Sequence, residues 1–259
     1  MDAVLLFSGQ GAQKVGMGKD LYDQYPVAKA LIEQADKALG ESLSAVMFEG
    51  PGDELTRTCN CQPALYVHGL ACLAVLKELV PSLNPVAAAG LSLGEFTAHA
   101  AAGTYSFEEG LRLVQKRGAF MEEACNATKG TMAAMIGGTD ENVIKLAQEC
   151  DVDVANFNCP GQTVVSGTEE GVAKAVAGAK AAGCKIAKKL NVAGAYHSRL
   201  MHSAMVKLAE ELKNISFGTP SMPVYCNYEA RVVEGPDDIR SMLEHQVCGS
   251  VRWTASMPV

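Results

Sequence analysis

The sequence predicts an α/β protein in which a parallel-sheet domain is interrupted by a smaller α+β insert, and three observations carry that expectation. Two short apolar runs, Ala3–Phe7 and Val86–Leu91, each lead into a glycine-bearing turn, as buried strands feeding functional loops do. Apolar residues recur at helical spacing from Asp20 to Leu79 and again after Ser92. From Gly130 to Leu190 the pattern changes, and strand-like runs alternate with two helical ones.

Each element follows in chain order. The first strand opens into Ser8-Gly9-Gln10-Gly11. Breaks at Pro26, Gly40, Gly50-Pro51-Gly52 and Pro63 divide the next stretch into several helices, the last spanning Gln62–Leu79. The run Val86–Leu91 reaches Ser92 with no polar linker, and helices are expected over Glu95–Ala102 and Phe107–Cys125. Within the changed segment come a strand at Met132–Ile136, a helix near Glu141–Glu149, strands at Val152–Phe157 and Thr163–Ser166, an alanine-rich helix over Glu169–Ala182, and a strand at Lys185–Leu190. That β-α-β-β-α-β order is ferredoxin-like. Residues 127–195 are therefore expected as a small subdomain, inserted into a large one made of 1–126 and 196–259. The chain returns with a helix at Ser198–Leu212, a strand at Val224–Cys226 and a helix at Asp237–Val247.

Composition narrows the function. The 259 residues are 48% hydrophobic and 20% charged, enough for a sizeable core. A net charge of −7 offers no basic surface to nucleic acid or an anionic membrane. The nine cysteines are scattered, and Cys59 and Cys61 fit neither a CxxC redox motif nor a zinc knuckle. Idle thiols in a reducing compartment are expected, with no metal and no resident cofactor. Two N-glycosylation matches, at Asn126 and Asn214, carry no weight without a signal peptide. Ala3–Phe7 is too short to span a bilayer.

Gly90-Leu91-Ser92-Leu93-Gly94 is the one G-x-S-x-G in the chain, and it sits between a strand and a helix. A serine on that cramped turn is a candidate nucleophile, with the helix N-terminus beyond it favouring a developing oxyanion. The bland alternative is a glycine-rich helix entry whose serine caps. Five histidines could supply the base. His68 and His99 lie inside helical runs, His245 lies near the last helix, and His202 is within a helix. His197, in Gly194-Ala195-Tyr196-His197-Ser198, occupies a loop between strand and helix and is the favourite, though spacing alone does not decide it. Ser8-Gly9-Gln10-Gly11 fails as a dinucleotide fingerprint because Lys14 occupies the third glycine position; a glycine-flanked glutamine can instead offer its backbone N–H to an oxyanion. Arg117, paired with Lys116 on a helix, is not singled out by the pattern at all.

Taken in order, Phe7-Ser8-Gly9-Gln10-Gly11-Ala12-Gln13, Gly90-Leu91-Ser92-Leu93-Gly94-Glu95, Gln115-Lys116-Arg117-Gly118, Asn156–Gln162, Gly194–Ser198 and Val251-Arg252-Trp253 resemble the motifs of the malonyl-CoA:acyl-carrier-protein transacylases. The resemblance covers nearly the whole chain. It implies a hydrolase-like α/β domain with a ferredoxin-like insert, and malonyl transfer from malonyl-CoA to acyl carrier protein by an enzyme expected to be monomeric. It implies Ser92 as nucleophile, His197 as base, Arg117 as clamp for the malonyl carboxylate, and the N–H groups of Gln10 and Leu93 as oxyanion hole. Gln246 matches the position whose carbonyl orients the histidine. Met121, one helical turn beyond Arg117, is expected to line the acyl pocket.

There are two departures from the family. Leu91 stands where many members have histidine, a feature familiar in cyanobacterial and plastid forms, which points to a plastid stroma or a bacterial cytoplasm. The family also continues past the position of Trp253 through a strand, a glycine-proline-glycine turn and a helix, so a shortened form is expected, with any transit peptide already absent. Two other readings compete. A thioesterase would share the elbow, but it would place an acid between serine and histidine in chain order. A carrier-docking module with a vestigial site would not need serine, histidine and arginine together. Carrier docking itself is expected on Lys180, Lys185, Lys188 and Lys189, with Arg199 nearby.

Overall fold

A computed structural model describes residues 1–257. Their elements run β1 (Asp2–Phe7), α1 (Lys19–Gln24), α2 (Pro26–Leu39), α3 (Leu43–Glu49), α4 (Gly52–Thr56), α5 (Thr58–Leu79), β2 (Asn84–Gly90), α6 (Leu93–Ala101), α7 (Phe107–Ala127), β3 (Gly130–Ile136), α8 (Asp140–Glu149), β4 (Asp153–Cys159), β5 (Gln162–Thr168), α9 (Glu169–Gly178), β6 (Ile186–Lys189), a 3-10 turn at Arg199–Met201, α10 (His202–Leu212), α11 (Pro236–His245) and α12 (Trp253–Ser256). The chain divides into two compact units. The first takes Met1–Ala119, Glu211–Tyr225 and Val232–Ile239, and the second takes Phe120–Glu210, Cys226–Arg231 and the residues from Arg240 onward. The segment expected as the insert lies in the second unit, together with residues on both sides of it.

In the first unit β1 and β2 pair in parallel, with Phe7 opposite Gly90. Both strands therefore end on the same side, where open parallel sheets place their ligands. Ala88 is bridged on its other side to Val224. The expected strand at Val224–Cys226 is reduced to such isolated bridges, since Tyr225 turns to pair with Val232. The expected burial of the first strand is also only partial. Leu5 is buried, but Val4 and Leu6 are more than half exposed, in an open concavity that they line with His68, Cys72 and Leu76 of α5.

Helix α5 starts at Thr58, not at Gln62, and carries Pro63 inside it. The first turn closes on the Arg57 carbonyl, which accepts from the Cys61 N–H at 2.8 Å. Cys61 to Val67 are all buried, and that packing outweighs the backbone bond proline cannot make. Across from it, α2 presents Ala28, Ile32 and Ala35 at helical spacing, with Ala28 packed against Ala71 and Val75 of α5. Helix α5 is long and apolar enough to cross a membrane, yet 56% of its most apolar stretch is buried inside the structure, as a core helix requires.

The second unit contains a four-stranded antiparallel sheet ordered β4-β5-β3-β6. This is the order a ferredoxin-like β-α-β-β-α-β chain produces. Thr139 caps α8 and Thr168 caps α9, each accepting from the backbone N–H three residues on. Val143, Leu146 and Ala147 of α8 and Val172 and Ala175 of α9 bury their stripes with Met135 and Val165 of the sheet. Helix α9 ends at Gly178, four residues before the expected stop, and the chain turns back through Cys184, whose N–H bonds the Ala179 carbonyl at 2.9 Å.

Candidate active site

Ser92 follows β2 directly and precedes α6, with φ 55 and ψ −103. That left-handed conformation is strained for a residue with a Cβ and persists only where its surroundings enforce it. Here the glycines enforce it. A Cβ on Gly90 would lie 1.9 Å from the Gly94 carbonyl carbon, and one on Gly94 would lie 2.2 Å from the Phe7 carbonyl oxygen. The Leu91 N–H donates to the Phe7 carbonyl at 3.1 Å, so the elbow is held to the end of β1.

The loop after β1 packs on the same turn. A Cβ on Gly9 would come within 2.5 Å of the Leu91 carbonyl oxygen, which brings the Gln10 backbone to the neighbourhood of the elbow. Leu93 is the first residue of α6, so its N–H has no carbonyl one turn behind it within the helix. On the loop's other side Cys61 is fully buried. Burial pushes its thiol up to about 12, with the Gly11 N–H pulling the other way, so it stays protonated. All nine cysteines are free.

Arg117 enters this site from α7. Its side chain is 1% exposed, its Nη2 donates to Ser92 Oγ at 3.0 Å, and its Nη1 donates to Gln62 Oε1 at 2.7 Å. Its guanidinium carbon lies 5.0 Å from the centre of the Phe96 ring. The pattern of the sequence passed over this arginine and also missed Gln62 and Phe96. Gln62 did leave a signal: it is the one amide in the apolar stretch Cys61–Val67. A buried guanidinium with a planar fork, fixed beside a serine hydroxyl, suits a carboxylate-bearing acyl group.

The second unit holds His197, 5% exposed and also at positive φ, 55. Its Nδ1 lies 2.8 Å from the backbone carbonyl of Gln246, a residue that is fully buried. A carbonyl can only accept, so Nδ1 carries the proton and Nε2 is left as the basic nitrogen. Ser198 beside it donates to the Ala195 carbonyl at 2.6 Å, and its Oγ accepts from the Leu200 N–H at 3.3 Å. Arg199 ties the same loop to Asp153 and Asp151. Met121 is buried in this unit, one helical turn past Arg117 on α7.

Of the other histidines, His99 is fully buried, with Nδ1 3.2 Å from Thr104 Oγ1, and burial lowers it to about 3. His68 faces Cys72 on α5. Among the described residues no group of acidic, histidine and cysteine side chains could hold a metal ion.

Known proteins resemble this chain over most of its length. Residues 4–255 match the acyl transferase domain family. The malonyl CoA-acyl carrier protein transacylase of Bacillus subtilis is 43% identical over 97% of this chain and 80% of its own length, and that of Escherichia coli is 40% identical over 97% and 82%. Among solved structures, the malonyl CoA-acyl carrier protein transacylase of Coxiella burnetii superposes with a TM-score of 0.93 at 36% identity, covering 96% of this chain and 80% of that one. A malonyl-transacylase solved in complex with a type II polyketide acyl-carrier protein superposes at 0.92 with 37% identity, covering 96% and 82%. The chain belongs to the acyl transferase domain family, among the malonyl CoA-acyl carrier protein transacylases.

Proposed function

We propose that this protein moves a malonyl group from malonyl-CoA to the phosphopantetheine thiol of acyl carrier protein through an ester on Ser92, supplying type II fatty acid synthesis. The observation that carries the reading is the buried Arg117 fork beside Ser92 Oγ. Malonyl differs from acetyl by a terminal carboxylate, and burying that charge unpaired would cost several kcal/mol. A thioesterase for uncharged acyl groups would have no use for such a cation.

The steps follow from the chemistry of the groups. Ser92 Oγ attacks the thioester carbonyl while its proton passes to His197 Nε2. The oxyanion is met by the Leu93 and Gln10 N–H groups. The tetrahedral intermediate collapses, and the CoA sulfur leaves with the proton from His197. The carrier thiol then gives its proton to His197 and attacks the ester, and Ser92 recovers its proton as it leaves. The Gln246 carbonyl keeps the Nδ1 proton in place throughout, and Met121 lines the acyl pocket. No resident cofactor enters these steps.

For the carrier, Lys180, Lys185, Lys188 and Lys189 form the docking patch. All four are exposed, the last two on the edge strand β6. Arg199 is set aside from this patch by its pairing with Asp151 and Asp153. We take the enzyme to act as a monomer, in a bacterial cytoplasm or a plastid stroma. The bacterial relatives support the first setting, and Leu91 is the one feature for the second.

Intact mass after mixing with malonyl-CoA tests the reading. The parent protein gains one malonyl group and Ser92→Ala gains none. An adduct that persists in Ser92→Ala would refute it.

A further inference from the structure

The second unit contains a concavity of about 480 Å3 with His197 in its wall. Its charged lining is three potential cations, Arg199, His202 and Arg252, against one carboxylate, Asp153. Asp153 is already engaged: it accepts from the Arg199 N–H at 2.8 Å and from Arg199 Nη2 at 3.0 Å. Arg199 is shared between Asp153 and Asp151, so this trio carries one net negative charge and supplies no free cation. Arg252 is held differently. Its backbone N–H donates to the Asn227 carbonyl at 2.9 Å, and its carbonyl accepts from the Ser256 N–H at 3.1 Å. The preceding Val251 pairs with Asn156 at the edge of the antiparallel sheet. The Arg252 guanidinium carbon lies 5.9 Å from the centre of the Phe157 ring, and among the described residues the group makes no ion pair. The concavity therefore has, in one wall, an exposed guanidinium near the Phe157 ring on a backbone held at both its N–H and its carbonyl, an exposed imidazole at His202, and the candidate base.

Resting on the transfer proposed above, we infer that this concavity seats the phosphopantetheine arm, with Arg252, assisted by His202, binding its phosphate. The two thiol substrates of such a transfer have only that arm in common. Its sulfur must come to His197 in both half-reactions, and its other end is an anionic phosphate. A planar guanidinium matches phosphate oxygens with two parallel N–H donors, where a neutral wall would leave the charge unmet. Val154 and Tyr228 add apolar surface to the same lining. One site can thus accept CoA and a carrier protein in turn while reading nothing else of either.

The test compares two acyl donors that differ in the phosphate. Malonyl-CoA carries it, and the malonyl thioester of N-acetylcysteamine keeps only the thiol end of the arm. Arg252→Gln retains the stem over Phe157 and removes the charge. It should raise KM for malonyl-CoA about tenfold with kcat nearly constant, so that the KM ratio between the two donors shifts by the same factor. Arg252→Lys should recover part of that shift. Calorimetric titration with free CoA reads the arm without any transfer, and Arg252→Gln should weaken that affinity about tenfold. Equal losses on both donors would mean that Arg252 supports the fold, and unchanged CoA affinity would mean that the phosphate lies elsewhere; either overturns the inference. A parent that binds CoA through Arg252 but forms no malonyl-Ser92 would overturn the proposed transfer and leave this inference standing.

Discussion

Ser92 and His197 share an unusual backbone, each a non-glycine residue at φ 55, but the two regions hold that conformation by different means. At Ser92 the hold is steric. Gly90 and Gly94 let three backbone segments meet at distances no side chain could survive, and Ser92 has no other way to lie. At His197 the hold is by hydrogen bonds: Nδ1 to the Gln246 carbonyl, Ser198 Oγ to the Ala195 carbonyl, and Arg199 to its two aspartates. The difference suits the work each group is proposed to do. A nucleophile needs its atom fixed in space, which close backbone packing provides. A base needs its ring turned and its proton placed, which only a directional acceptor can set.

The steric hold should break abruptly. In Gly90→Ala the new methyl would lie 1.9 Å from the Gly94 carbonyl carbon, and neither backbone can yield. We expect no malonyl adduct and a protein that melts at much lower temperature or fails to fold; wild-type melting together with wild-type acylation would refute the steric account.

Acid should strike the elbow side through His99, on the helix that Ser92 introduces. Burial holds it neutral in the folded protein, down to about 3, whereas the unfolded chain protonates it near its ordinary value of 6.5. The unfolded state then binds the extra proton, so stability falls as pH drops from 6.5 toward 3, by up to about tenfold in the folding equilibrium per pH unit. His99→Gln should flatten that part of a denaturation-versus-pH curve. If the variant keeps the same slope, another group is responsible.

Arg117 sharpens the comparison, because it is a cation fixed to the elbow by hydrogen bonds. Arg117→Ala should lower malonyl relative to acetyl transfer by about ten- to a hundredfold, and lysine should restore little. Measuring kcat/KM with both acyl-CoAs decides this, and equal losses would reduce Arg117 to a structural role. Gln62→Leu keeps the volume but removes the acceptor at 2.7 Å from Nη1, so the same ratio should fall several-fold without a loss of acetyl transfer. The smallest effect belongs to the tethered loop. Ser198→Ala removes one cap and one bond to Ala195, costing about 1 kcal/mol of stability and a few-fold in kcat. A hundredfold fall would mean that the loop depends on a single bond.

Local chemistry made part of this protein legible from its sequence. Strand, Ser92 and helix are adjacent in the chain, and Gly90 and Gly94 are needed by a turn only five residues long, so the elbow could be read without knowing anything distant. The β-α-β-β-α-β order of the antiparallel unit was visible for the same reason, since period and caps are properties of neighbours. Arg117 was not legible from spacing, because what distinguishes it from an ordinary helical arginine is full burial against Gln62, Phe96 and Ser92, residues 55, 21 and 25 positions away in sequence. Pro63 misled for a related reason: a proline breaks a helix on local grounds, and only the burial of Cys61–Val67 overrides it. The partner of His197 was equally out of reach of local reading, since a backbone carbonyl carries no mark in the sequence, and the resemblance alone pointed to Gln246. Residue identity and order along the chain were enough to show which groups could react. Tertiary structure decided which charges are buried and which acceptors they meet, because burial and hydrogen bonding depend on segments the chain brings together only when it folds.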